Sequence, residues 1–193
     1  MGLFKKESNI IKTTLHINAR FQPEHRVSYY EDQLKSVFKK EKLGSVCGGN
    51  SVFFKEGGIA SCEIYLECYE DKINRLIELL HYIPIAKGSR LTVFKDDGKI
   101  DREYPLGELE GMGIYLNGVD LPKEVYKKCD INFVVDEVYR LLETPPILYS
   151  YWQGPKETAL YFYSASFTTM RTKINSLLTT YPLCQGCRVT QIS

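Results

Sequence analysis

The sequence predicts an α+β fold made of two tandem copies of one unit, and two observations lead to this prediction. First, residues 84–92 and 182–190 share Pro, Gly, Arg and Thr at the same spacing, and a Lys-Ile-Asn stretch precedes each. Second, the hydropathy pattern around both segments runs strand, helix, strand, strand, helix, strand. The order βαββαβ is typical of a ferredoxin-like unit, in which two helices cover one face of a four-stranded antiparallel sheet.

Each element of the first unit follows from its own periodicity. Apolar residues alternate with polar ones in the strands, and they recur every three to four residues in the helices. A Lys-Glu-Gly-Gly turn separates the two central strands. The pattern predicts strands at 13–21, 45–54, 59–68 and 90–94, and helices over about 27–42 and 71–82.

The second unit repeats this order, and a charged segment with an Asp-Gly pair lies between the two units. We interpret that segment, residues 95–108, as a linker. The predicted second-unit strands are 111–117, 147–153, 158–164 and 188–192, and the helices are 125–143 and 167–181. The units therefore span 13–94 and 109–193, and residues 1–12 form an N-terminal tail or an edge strand.

Composition excludes several classes of function. The chain has 193 residues, and 25 Lys and Arg balance 24 Asp and Glu, so we expect no nucleic-acid partner. Its longest apolar runs fall far short of the roughly 20 residues that cross a bilayer, so we expect no membrane partner. The N-terminus lacks the features of a secretory signal, and six cysteines in such a chain are typical of reduced thiols. We therefore expect a cytoplasmic protein.

Tyrosines and amides dominate one predicted face of the second sheet. Tyrosine offers a large contact area at low entropic cost, which suits protein recognition. An alternative is that these side chains form a half-buried seam between the two sheets. RNA stacking is a third interpretation, but the basic, glycine-flanked aromatic signature of RNA-binding sheets is absent. The proposed partner-binding residues are Tyr115, Asn117, Tyr149, Tyr151, Gln153, Tyr161 and Tyr163.

The first sheet has a polar face of its own. Glu63, Tyr65 and Glu67 alternate with apolar residues, so they point away from the core, and we include them among the partner-binding residues. Arg90 and Arg188 occupy the same position in the two units. They could anchor an anion, although pairing with a nearby glutamate is the simpler interpretation.

The sequence gives no catalytic or cofactor motif. Cys184-Gln185-Gly186-Cys187 is a C-x-x-C, but it leads from a helix into a strand, and redox pairs of this kind usually open a helix. A second C-x-x-C or a histidine pair that would complete a zinc site is missing. We therefore predict packed cysteines, no metal, no cofactor and no enzymatic activity.

Three segments of the second half resemble a family of small bacterial proteins. They are residues 109–122, residues 151–163 (Tyr-Trp-Gln-Gly-Pro-Lys-Glu-Thr-Ala-Leu-Tyr-Phe-Tyr) and residues 181–185 (Tyr-Pro-Leu-Cys-Gln). The family is associated with immunity proteins of contact-dependent and other polymorphic toxin systems. The resemblance implies a cytoplasmic protein that binds and neutralises a cognate toxin domain, without implying a role for any single residue.

The leading hypothesis is therefore a non-catalytic immunity protein that inhibits a toxin by binding it. The alternative is a sensor or regulatory domain with a small-molecule site between the two units, near Arg90 and Arg188. A wide exposed tyrosine face favours the first hypothesis, and a pocket lined by arginines and inward tyrosines favours the second.

Overall fold

The computed structural model describes residues 9–143 and 148–193. The strands, in chain order, are β1 (Ile10–Ile17), β2 (Gly44–Phe53), β3 (Ile59–Tyr69), β4 (Ser89–Phe94), β5 (Ile100–Leu106), β6 (Glu110–Asn117), β7 (Leu148–Gln153), β8 (Glu157–Ser164) and β9 (Arg188–Gln191). The α-helices are α1 (Pro23–Arg26), α2 (Asp32–Glu41), α3 (Ile73–Leu80), α4 (Lys123–Lys128), α5 (Ile131–Leu142), α6 (Phe167–Lys173) and α7 (Asn175–Thr180). One π-helical turn (Val27–Glu31) joins α1 to α2.

The strands form two antiparallel sheets of the same topology. The first sheet has the order β2-β3-β1-β4-β5, and the second has the order β7-β8-β6-β9. In each unit the first strand lies between the third and the fourth, which is the ferredoxin-like arrangement. The predicted fold class, two tandem ferredoxin-like βαββαβ units, is confirmed.

The repeated sequence segment adopts the same structure in both units. His16 of β1 pairs with Arg90, and Tyr115 of β6 pairs with Arg188, so both arginines lie at the start of the fourth strand of their unit, beside its first strand. The repeated glycine lies just before each of these strands with a positive φ, +83° at Gly88 and +66° at Gly186. Glycine adopts this conformation without the steric cost that a Cβ imposes.

The segment expected to be a linker contains a strand. β5 forms a hairpin with β4 and becomes the fifth strand of the first sheet, so its residues belong to the first unit's sheet. Only residues 107–109 separate β5 from β6. Gly107, with a φ of +93°, makes this short connection feasible, because a Cβ there would lie 2.0 Å from the Ala86 carbonyl oxygen.

The remaining differences concern element ends. Residues 10–12, expected in a tail or an edge strand, extend β1, a central strand, whereas residues 1–8 and Ile147 lie outside the described residues. The helix expected at 125–143 is two helices, because Asp130 adopts an extended conformation and its side chain accepts a hydrogen bond from the Asn132 N–H as the N-cap of α5. The helix expected at 167–181 divides at Ile174 into α6 and α7.

Each sheet buries one face under its own helices. In the first unit, Leu34 and Phe38 of α2 and Leu76 of α3 pack on the apolar side of the sheet. In the second unit, Val134 and Val138 of α5 pack with α6 and α7 on the apolar side of β6 and β8. The expected core residues Leu15, Ile17, Ala19, Phe21, Cys62, Ile64, Leu66 and Cys68 are all buried.

None of the helices described in residues 9–143 and 148–193 is both long enough and apolar enough to cross a membrane.

Candidate functional site

The tyrosines that we expected on one face of the second sheet lie on two opposite faces. The β7–β8 hairpin pairs Tyr151 with Leu160. Paired residues share a face and successive residues alternate, so Tyr151 points toward the helices, whereas Tyr161 and Tyr163 point to the opposite side. The prediction of one continuous face was therefore wrong. Tyr149 and Gln153 share the face of Tyr151, and Tyr115 and Asn117 share the face of Tyr161 and Tyr163.

Tyr115, Tyr161 and Tyr163 form part of a buried seam between the two units. Their exposed fractions are 8%, 2% and 0%. The Tyr163 ring lies 5.3 Å from the Phe21 ring of the first unit, measured between centroids. Burial raises the pKa of Tyr161 to about 12. The seam that the sequence left open as an alternative therefore accounts for these three tyrosines.

Arg20 of the first unit contacts the tyrosines of this seam. Its backbone N–H donates a hydrogen bond of 2.7 Å to the Tyr163 hydroxyl, and its guanidinium donates to the Tyr115 hydroxyl. The guanidinium carbon also lies 5.1 Å from the centroid of Phe54 and 5.5 Å from that of Tyr161, within cation–π range. The Arg20 side chain thus contacts two tyrosines across the seam and Phe54 of its own unit.

A serine–histidine pair also joins the two units. Ser150 of β7 lies 2.9 Å from Nδ1 of His25, and its hydroxyl accepts a hydrogen bond of 3.0 Å from the Gln22 N–H. A nucleophilic serine needs access to its substrate. Ser150 is completely buried, so its hydroxyl is not accessible from solvent.

Five aromatic side chains form a partly exposed patch beside the seam. The Tyr149 and Tyr151 rings stack with centroids 6.4 Å apart, and the Tyr139 ring of α5 meets Tyr149 edge to face at 6.3 Å. On the other side His25 contacts Tyr151 at 5.8 Å and stacks on Tyr29 at 5.8 Å. We call His25, Tyr29, Tyr139, Tyr149 and Tyr151 the aromatic patch.

The aromatic patch combines half-buried rings with exposed ones. Tyr139 and Tyr151 are each 39% exposed, whereas Tyr149 between them is half-buried. Burial raises the pKa of both Tyr139 and Tyr149 to about 12. Their hydroxyls therefore stay protonated at neutral pH, so they are both donors and acceptors for a partner.

Two clefts adjoin the aromatic patch between α5 and the β7–β8 hairpin. The first, of about 390 Å³, is lined by Tyr149, Tyr151 and the apolar side of α5 at Ile131 and Val135. The second, of about 550 Å³, continues past Gln153 toward the loop after β6. Gln153, Thr158 and Ile131 line both clefts, so the two are adjacent. Asn117 and Gln153, two of the predicted binding residues, line the second cleft.

Comparisons with known proteins give no family. No family model matches the chain, and no curated protein matches it. Two solved structures are similar to it. The first contains the first two RRM domains of yeast poly(U)-binding protein (Pub1); it is 8% identical, covers 96% of this chain and 99% of its own, and has a TM-score of 0.27. The second is an anthrone oxidase-like protein; it is 10% identical, covers 85% of this chain and 79% of its own, and has a TM-score of 0.23. At these TM-scores neither similarity bears on function.

The polar face of the first sheet is a second surface. The Tyr65 hydroxyl donates a hydrogen bond of 3.0 Å to the Glu63 carboxylate and accepts one of 3.1 Å from the Asn50 amide. Tyr65 is 38% exposed, and Glu63 and Glu67 are half-buried. A groove of about 560 Å³ runs beside Tyr65 and Glu67. The three predicted residues therefore do share one solvent-facing surface.

The two repeated arginines pair with glutamates within their own sheets. Nε of Arg90 lies 3.0 Å from the Glu103 carboxylate on β5, and Nη2 of Arg188 lies 3.3 Å from the Glu157 carboxylate on β8. Arg188 also stacks on Tyr115, with its guanidinium carbon 3.7 Å from the ring centroid. This geometry supports the glutamate-pairing interpretation and does not bring the two arginines to one anion.

All six cysteines are free thiols. Cys184 is buried and Cys187 is half-buried. Within residues 9–143 and 148–193, no group of three or more His, Cys, Asp or Glu side chains is arranged to hold a metal ion.

Sequence reasoning missed Tyr139, His25 and Tyr29 of the aromatic patch. Tyr139 follows the buried Val138, so helical periodicity alone places it beside the core stripe of α5. His25 and Tyr29 are four residues apart, a spacing that brings side chains together on a helix. That spacing was the available signal, but the predicted helix began only at Val27.

Proposed function

We propose that this chain is a non-catalytic binding protein that holds a partner protein on its aromatic patch. The partly exposed aromatic patch carries the proposal. Tyrosines are enriched in protein interfaces, and the residues that dominate binding energy cluster on rigid, well-packed sites of this kind. Tyr149 contacts both Tyr139 and Tyr151, so little side-chain entropy is lost when a partner covers these rings.

The two clefts beside the aromatic patch support the same proposal. A partner side chain can insert between α5 and the hairpin, where Ile131 and Val135 offer apolar contacts. Gln153 and the exposed Asn132 supply hydrogen-bonding groups at the edge of the first cleft. An apolar centre with a polar rim is the usual composition of a protein interface.

We further propose that the partner is a bacterial toxin domain and that this chain is its immunity protein. The resemblance of residues 109–122, 151–163 and 181–185 to such proteins supports this step. Tyr151 of the aromatic patch and Gln153 of the adjoining clefts belong to the second of these segments.

The test is affinity purification of three tagged forms of the full chain from the native host. They are the wild type, the double variant Tyr139→Ala/Tyr151→Ala, and the control Tyr82→Ala, which truncates a tyrosine that is 83% exposed and outside the aromatic patch. Each partner is identified by mass spectrometry. It is then expressed alone and with each form, and cell growth is measured.

The proposal predicts a stoichiometric partner that stops growth when it is expressed alone. Wild type and Tyr82→Ala should restore growth, and the double variant should bind at least about tenfold more weakly, because interface tyrosines often contribute more than about 1 kcal/mol each. If the double variant bound the partner as tightly as the wild type, the aromatic patch would not be the binding surface. A partner without toxicity would contradict the immunity role.

A further inference from the structure

The C-x-x-C cysteines lie in a tight turn that brings them together. The Cys187 N–H donates a hydrogen bond of 3.1 Å to the Cys184 carbonyl, and Gly186 adopts a φ of +66°. Such a turn holds its first and fourth Cα atoms within about 7 Å of each other. A disulfide spans Cα separations of about 4.4–6.8 Å, so the turn places this pair within or close to disulfide range.

The two thiols also differ in their electrostatic environment. The neighbouring Cys184 thiol, and secondly the positive charge of Arg171, lower the pKa of Cys187, although burial opposes them. The neighbouring Cys187, together with burial and the nearby Cys129, raises the pKa of Cys184. Cys187 is therefore the more readily ionised thiol of the pair.

The first unit shows that this turn does not require thiols. Ala86 and Ser89 occupy the positions equivalent to Cys184 and Cys187, and the Ser89 N–H donates to the Ala86 carbonyl as Cys187 does to Cys184. The Ser89 hydroxyl also donates a hydrogen bond of 2.6 Å to that carbonyl. Since Ala and Ser suffice for the fold, the thiol pair adds chemistry that the turn itself does not need.

We propose that Cys184 and Cys187 form a dithiol that a hydroperoxide oxidises to a disulfide. The Cys187 thiolate attacks one peroxide oxygen, the O–O bond breaks, and Cys187 becomes a sulfenic acid while the alcohol or water leaves after gaining a proton. The Cys184 sulfur then attacks the Cys187 sulfur. The S–S bond forms, the S–O bond breaks, and water leaves with the Cys184 proton.

The surroundings of Cys62 and Cys68 favour oxidation of the C-x-x-C pair over these two thiols. Cys187 is half-buried and reachable, whereas Cys184 is 2% exposed and acts only on its neighbour. Cys62 and Cys68 are fully buried, and burial raises the pKa of both, to about 11 for Cys68. Buried protonated thiols react slowly with peroxides. Cys47 is exposed and therefore serves as the comparison thiol.

The test treats the reduced full chain with hydrogen peroxide and maps the products by mass spectrometry. Wild type and the control Cys47→Ser should both become lighter by two hydrogens, with a disulfide between Cys184 and Cys187. Cys184→Ser should stop at a sulfenic acid on Cys187 that dimedone traps. Cys184→Ala/Cys187→Ser copies the first unit's residues, so it should fold and form no internal disulfide.

The rate at which hydrogen peroxide oxidises each cysteine is the second measurement. Cys187 should react about fivefold or more faster than Cys47 at pH 7, because a thiolate is the reactive form. The rate of Cys187 oxidation should rise with pH and level off at a lower pH than that of Cys47, because the pKa of Cys187 is lowered. Oxidation of Cys47 before Cys187, or sulfonic acid at Cys187 without a disulfide in the wild type, would overturn the proposal.

Discussion

The Thr13 hydroxyl is buried without a hydrogen-bond partner in the described structure. Thr13 is 2% exposed, and it lies opposite Leu66 and Val93 in the first sheet. A buried unsatisfied hydroxyl costs about 1–3 kcal/mol, and valine has the same shape without it. Thr13→Val should therefore raise the free energy of unfolding by about 1 kcal/mol. Urea denaturation measures the change, and a lower midpoint for this variant would show that the hydroxyl has a partner.

Arg26 and Glu31 form a buried ion pair at the π-helical turn. The Nε to Oε1 distance is 2.7 Å, and the side chains are 8% and 6% exposed. Gly49 leaves room for the pair, since a Cβ there would lie 3.2 Å from Arg26 and 2.3 Å from the Glu63 carbonyl oxygen.

Removing one partner of this pair should destabilise the fold strongly. Arg26→Met leaves the Glu31 carboxylate buried without its counter-charge, and we expect a loss of about 3–5 kcal/mol in chemical denaturation. The control is Lys35→Met, which removes the solvent-exposed ion pair with Asp32 and should change stability little. Similar effects for both variants would show that burial of the first pair does not matter.

At the scale of elements, Asp130 decides where α5 begins. Its carboxylate accepts a hydrogen bond of 2.9 Å from the Asn132 N–H. Asp130→Ala removes this cap and should lower the free energy of unfolding by about 1 kcal/mol, whereas Asp130→Asn should keep most of it. Thermal unfolding followed by circular dichroism compares the two. Equal losses would mean that the negative charge, and not the capping geometry, stabilises the helix.

Most elements could be predicted from periodicity, but β5 could not. Its charged residues and Pro105 resemble a linker, yet charge and proline are also how exposed edge strands avoid pairing with other chains. The composition of an edge strand and that of a linker therefore overlap. Only pairing with β4 distinguishes them, and the Asp97-Gly98 turn of this hairpin was the available signal.

The sheet face on which each tyrosine of β7 and β8 lies depends on the register of the hairpin that these strands form. The alternation in β7 and β8 was evident, but pairing of Tyr151 with Leu160 depends on the length of the loop between the strands. A slip of one residue moves every side chain to the other face. The sequence therefore predicted Tyr149 and Tyr151 of the aromatic patch and Gln153 of the adjoining clefts, but it did not predict the other three residues of the patch.

At the scale of the whole molecule, the seam joins the two units through one shared hydrophobic cluster. The buried cluster that includes Leu15 and Phe21 of the first unit also includes Tyr115, Tyr161 and Tyr163 of the second. The repeat predicted two units, but their contact depends on which sheet face remains uncovered by helices. The second sheet turns that face toward the first unit.

The single tryptophan reports on this seam. Trp152 lies beside the β2–β3 turn, where a Cβ on Gly57 would be 3.5 Å from its ring. Unfolding monitored by Trp152 fluorescence should coincide with unfolding monitored by far-ultraviolet circular dichroism. Tyr163→Phe leaves the Arg20 N–H without its acceptor, and it should shift both curves together to lower denaturant. A fluorescence change that precedes the loss of secondary structure would show that the units separate first.

The most direct test of the account is chemical modification of tyrosines in the free protein and in its complex, mapped by mass spectrometry. The aromatic patch should be reactive in the free protein at Tyr139 and Tyr151 and protected in the complex. Tyr161 and Tyr163 should stay unmodified in both states because the seam buries them. Modification of the seam tyrosines in the free protein, or continued reactivity of Tyr139 and Tyr151 in the complex, would contradict the account.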